Sequence, residues 1–160
     1  MHLCIIPDLH NRIEVAKEII EKENENVDEF IFLGDYFDDW NETSQTVKTT
    51  AEFVSEYIHN DKFKFLSPYG KFWLKYLSAM PLALIDGKPL NQMCGHSVLA
   101  NWNMKQLVGY RVYWIDTCSQ NYALVDLKEN TVNIRNTSYN HTYHAGEIKW
   151  LSKINQIRNL

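Results

Sequence analysis

Asp8 and His10 stand two residues apart where an apolar run, Leu3 to Ile6, gives way to polar chain. A carboxylate oxygen and an imidazole nitrogen together suit a borderline divalent cation. The run before them is uninterruptedly apolar and reads as a buried strand. Asn11 has the type of a helix N-cap, and Glu14 three residues later completes a capping-box pattern, so a helix is predicted to begin there. Its positive end would lie beside the pair and favour an anion. Cation ligands next to an anion site are the beginnings of a phosphate-handling centre. The plainer alternative is that Asp8 closes a turn and His10 is an ordinary loop histidine.

A second apolar run, Phe30 to Leu33, ends in Gly34-Asp35-Tyr36-Phe37-Asp38-Asp39. Adjacent parallel strands finish on one edge of a sheet, where ligands bind. If the two runs are neighbouring strands, Asp8, His10 and Asp35 converge. Gly34 lets the backbone turn sharply before Asp35, and a carboxylate placed between two ions can bridge them.

The elements that must position these residues follow from periodicity. Residues 12–23 read as a helix with Ile13, Ala16, Ile19 and Ile20 on one face and charges opposite. A second helix is predicted from Thr43 to His59, with Val47, Ala51, Val54 and Ile58 at helical spacing, and a third strand over Phe63 to Leu66. Strand, helix, strand, helix, strand implies βαβ units and a parallel sheet. After the break at Ser67-Pro68-Tyr69-Gly70, residues 71–79 suit a short amphipathic helix. Short strands follow over Leu82–Ile85, Gln92–Cys94, Val108–Ile115, Tyr122–Leu127 and Thr131–Ile134, with a hairpin across Asp126–Asn130. This half reads as mixed or antiparallel sheet. Glu147 to Arg158 carries one apolar stripe and is predicted to form a packing helix. No domain boundary stands out, so residues 1–160 are read as one domain.

The 160 residues suffice for a real core, and 45% of them are apolar. A net charge of −4 argues against a nucleic-acid backbone as the main partner. No apolar run approaches membrane-spanning length, and no signal peptide is read at the N-terminus. Cys4, Cys94 and Cys118 lack zinc-site spacing and read as buried reduced thiols, which fits a cytoplasmic location.

Taken together, these motifs resemble the calcineurin-like metallophosphoesterases, the superfamily of serine/threonine protein phosphatases and many phage and bacterial phosphatases. Asp8-Leu9-His10 matches the first family motif and Gly34-Asp35-Tyr36-Phe37-Asp38 the second. Cys94-Gly95-His96-Ser97 looks like the late Gly-His motif. Leu77 to Ile85, Tyr113 to Thr117 and Tyr122 to Val125 resemble family strands and their approaches, so the likeness covers roughly residues 1–135. The resemblance implies a layered α/β-β/α sandwich in reduced form and one or two divalent ions, Mn, Fe or Zn. It assigns Asp8 and His10 to the first ion, Asp35 to both and His96 to the second. Asp38 would hold the position that orients a catalytic histidine through a hydrogen bond. The implied substrate is a phosphorylated small molecule or phosphoprotein.

Two segments of the family pattern are missing. Leu66 is followed by Ser67-Pro68-Tyr69-Gly70 in place of Gly-Asn-His-Asp/Glu, and Lys88 to Gln92 lacks the middle metal histidine. The arginine expected after the second motif is replaced by Asp39. Asn91 or Asn101 could approach His96, whereas His141 and His144 read as surface-loop residues. Two readings therefore stand: a metal-dependent phosphoesterase of low activity, or a catalytically inactive relative serving as a binding or structural domain.

Overall fold

The computed structural model describes residues 1–37, 42–65, 84–85, 88–89, 92–95, 103–107, 110–115 and 119–138. In chain order these form β1 (His2–Ile6), α1 (Ile13–Glu23), β2 (Glu29–Phe32), α2 (Ser44–Tyr57), β3 (Phe63–Phe65), β4 (Leu84–Ile85), β5 (Lys88–Pro89), β6 (Gln92–Cys94), β7 (Asn103–Leu107), β8 (Tyr110–Trp114), β9 (Asn121–Asp126) and β10 (Thr131–Asn136). The helices predicted over 71–79 and 147–158 lie outside the described residues, as do Asp38, His96, Asn91, Asn101, His141 and His144.

A five-stranded sheet of order β10-β9-β1-β2-β3 organises the chain. β1 pairs with β2 and β2 with β3 in parallel, while β9 runs antiparallel to both β1 and β10. β6, β8 and β7 form a second sheet, with β6 and β8 parallel and β8 and β7 antiparallel. The result is a mixed α/β fold consistent with a reduced calcineurin-like architecture.

Strand alternation explains why the sequence runs were apolar throughout. On one face Cys4, Ile6, Phe30 and Phe32 join Ile13, Ala16 and Ile19 of α1 and Phe53 of α2. On the other, Leu3, Ile5 and Ala123 pack with Tyr113 of β8 and Ile115 just beyond it, and Ile31 and Leu33 flank them. β1 and β2 are thus covered on both faces, and their C-terminal ends are held rigidly from two sides.

Four local expectations change. The strand expected over 108–115 is present as β8, but its antiparallel partner β7, over Asn103–Leu107, was not expected; their register brings Leu107 opposite Tyr110. The face of α2 is rotated: Thr50 and Phe53 are buried, whereas Ala51 and Ile58 are exposed. The cause is aromatic packing. Phe53 meets Phe32 edge-on at 6.0 Å and Tyr57 at 4.9 Å, and Tyr57 lies 4.6 Å from Phe63. Rings of this size outweigh the smaller aliphatic stripe. The charged face of α1 also contains an exception, because Glu23 is buried and accepts a 2.6 Å hydrogen bond from the Tyr122 hydroxyl.

The fourth change bears on the site. Arg12, not Asn11, occupies the N-cap of α1, and no side chain caps that end. Asn11 sits at φ 58° with its side chain committed elsewhere. The capping box appears instead at α2, where Thr43 and Thr46 bond reciprocally.

Candidate metal centre

The parallel pairing of β1 with β2 continues past the strands as a ladder between their loops. Leu33 N–H donates to Ile6 O, Leu9 N–H to Gly34 O at 3.3 Å, His10 N–H to Asp35 O at 2.7 Å and Asn11 N–H to Tyr36 O at 2.8 Å. This zipped pair of turns fixes two motifs that lie far apart in sequence. Its cost is visible in the backbone: His10, Asn11 and Asp35 all have positive φ, at 47°, 58° and 39°. Such conformations are held only where neighbouring structure over-determines them, and they gather at functional sites. Gly34, at φ 142°, adopts a backbone open to glycine and to few other residues.

The ladder brings Asp8, His10 and Asp35 together. One ligand-type atom from each lies within 4.8 Å of those from the other two. Asp8 is buried, at 2% exposure, and His10 and Asp35 are half-buried. Two carboxylates and an imidazole form an oxygen–nitrogen donor set that fits a borderline divalent ion. Two like charges held so close, one of them removed from water, are relieved by a cation between them. The residues present therefore fit the group that the motifs imply.

Neighbours confine the cluster. Ser119 Oγ donates to Asp8 O at 3.3 Å, from a buried residue at φ 63° between β8 and β9. Gly95, which follows β6, lies against the Asp8 carboxylate: a Cβ built on it would stand 2.2 Å from Asp8 Oδ1. The late Gly-His motif thereby reaches the first motif through its glycine. Buried Tyr36 lies in the field of the pair, and its hydroxyl is pushed up from its ordinary range first by burial, then by Asp8 and Asp35.

Sequence reasoning did not find the parts played by Gly95, Ser119, Asn11 and Thr50. Gly95 carried a signal, since a motif glycine marks a place with no room for a side chain. Ser119 carried none. Asn11 was read as a cap because its type fits one.

Comparison with known proteins adds three findings. The family model described as calcineurin-like phosphoesterase matches residues 1–156. A protein of Photobacterium leiognathi named "Probable flavin reductase" is 28% identical over 114 residues, covering 69% of this chain and 48% of that protein. The chain thus spans about half the length of that curated relative. No solved structure matches.

Proposed function

The chain belongs to the calcineurin-like phosphoesterase family, and on that premise we propose that it hydrolyses phosphomono- or diesters through a metal-activated water. The observation that carries this reading is the convergence of Asp8, His10 and Asp35 within 4.8 Å beyond the ends of two parallel strands. When bound, divalent ions supply Lewis-acid polarisation of phosphoryl oxygens and lower the pKa of water at the site. Asp8 and His10 would hold the first ion, Asp35 would serve both, and His96 would serve the second. Gly95 beside Asp8 supports that last assignment, because His96 is the next residue. Manganese, iron and zinc all suit these donors.

Around the ions, the chain's own residues orient and exclude. Gly95 lies against the buried Asp8 carboxylate and Ser119 Oγ donates to the Asp8 carbonyl, and together these keep the residue in one place. The family's leaving-group histidine has no counterpart after Leu66. General acid catalysis is worth roughly 10²–10⁴-fold, so turnover is slow and favours leaving groups that need no proton. Asp38 then has no histidine to orient. The match over residues 1–156 supports reading the chain as one domain. A phosphorylated small molecule or phosphoprotein is the substrate class, and the buried reduced Cys4 suits a cytoplasmic setting. No observation among the described residues favours the chemistry in the Photobacterium relative's name.

The test is hydrolysis of p-nitrophenyl phosphate, bis-p-nitrophenyl phosphate and an alkyl phosphate by chelator-treated protein, with and without manganese. Manganese-dependent release of nitrophenol, absent in Asp35→Asn, with alkyl ester slower by roughly 10²-fold or more, is the expected result. Equal rates for wild type and Asp35→Asn would leave the inactive-relative reading standing.

A further inference from the structure

The two turns of the site meet at one side chain. The Asn11 amide Nδ2 donates to the carbonyl of Phe37, two residues past Asp35. Its Oδ1 lies 2.9 Å from Thr50 Oγ1, on the buried face of α2. Its backbone N–H donates to Tyr36 O at 2.8 Å. The Phe37 carbonyl can only accept, so the amide orientation follows from chemistry: nitrogen toward Phe37, oxygen toward the hydroxyl. Thr50 Oγ1 also lies 3.0 Å from Thr46 O, and its single proton is shared between the two acceptors. Asn11 therefore joins the turn after β1, the turn after β2 and helix α2. It is the neighbour of His10, and its Phe37 contact lies on the chain just past Asp35.

We propose that Asn11 and Thr50 are positioning residues that set the separation of His10 from Asp35, and so the geometry and affinity of the metal centre. The inference rests on the reading that Asp8, His10 and Asp35 hold a divalent ion. A helix cap in this place would have steadied α1 alone. By leaving the cap to Arg12, Asn11 ties two ligand-bearing loops to each other and both to a helix packed by Phe53 in the core. Residues that orient metal ligands without touching the metal change affinity by roughly 10–100-fold when removed.

Cobalt(II) titration of chelator-treated protein, read by the visible absorption of the bound ion, tests this. Asn11→Gly removes the side chain and tolerates φ 58° without strain. Thr50→Val removes the hydroxyl at constant shape, and Thr50→Ser restores it. Circular dichroism at the titration temperature confirms that each variant is folded; if Asn11→Gly is not, the Thr50 pair decides the question alone. Expected are a roughly 10–100-fold weaker affinity and an altered cobalt spectrum in Asn11→Gly and Thr50→Val, with Thr50→Ser close to wild type. Unchanged affinity and spectrum in folded Thr50→Val would overturn the positioning role while leaving the metal centre intact. A wild type that takes up no cobalt would overturn both, and Asp35→Asn, measured alongside, identifies that case.

Discussion

Gly95→Ala is the smallest change that strikes the site from outside its ligand set. The new Cβ would stand 2.2 Å from Asp8 Oδ1, 3.0 Å from Cγ and 3.3 Å from Oδ2. Ordinary van der Waals separation begins near 3.4 Å, so the two groups must part by about 1 Å. Asp8 has little freedom to yield, being 2% exposed, with its carbonyl held by Ser119. Overpacking of this kind costs roughly 1–3 kcal/mol, or roughly 2–12 °C in melting temperature for a chain of this size. The function suffers more: a displacement of about 1 Å at a reacting centre costs roughly 10²-fold in rate. Thermal melts of the chelated protein, with manganese titration and nitrophenyl phosphate hydrolysis on the same samples, separate the two effects. The expected result is a modest fall in melting temperature with a roughly hundredfold loss of manganese-dependent rate. A variant with wild-type affinity and rate would refute the placement of Gly95 against Asp8, and with it the support lent to His96.

Asp35→Asn is expected to abolish manganese-dependent hydrolysis, whereas Asp38→Asn should change the rate little, since the histidine it would orient is missing; a severe loss in Asp38→Asn assayed on nitrophenyl phosphate would show that another residue supplies the acid. Phe53→Ala, at a site 3% exposed and in contact with Phe32 and Tyr57, should cost roughly 3–5 kcal/mol in urea unfolding, and a loss under about 1 kcal/mol would contradict the rotated face of α2. Tyr36 and Tyr122 have hydroxyls raised mainly by burial, Tyr122 also by its bond to Glu23. A raised folded-state pKa gives stability that is whole below the ordinary tyrosine value near 10 and is lost as pH climbs above it. Among the nine tyrosines, these two should ionise only with alkaline unfolding in a spectrophotometric titration, and early titration of all nine would contradict their burial.

The parts of this fold visible in the sequence are those governed by short-range pattern. Leu3 to Ile6 and Phe30 to Leu33 announce strands covered on both faces, and both are so covered. The residue types of Asp8, His10 and Asp35 declare their chemistry, and the parallel pairing of their strands brings them together. What the sequence concealed depends on contacts between distant segments. Asn11 has the type of an N-cap, and only the arrival of Phe37 and Thr50 shows that its amide is used elsewhere. The face of α2 was misread because Val47, Ala51, Val54 and Ile58 keep helical spacing, while the rings on β2 and β3 that choose the buried face are remote in the chain. That β9 pairs with β1 could not be read either, since antiparallel pairing across more than a hundred residues leaves no local trace.

The functional reading turns on whether Asp8, His10 and Asp35 hold a divalent ion. Anomalous diffraction from crystals of the full chain soaked in manganese tests it most directly. The strongest anomalous peak is expected within coordination distance of the Asp8 and Asp35 carboxylates and the His10 imidazole, with a weaker second peak on the far side of Asp35. Manganese bound elsewhere on the protein, with no density among these three side chains, would contradict it.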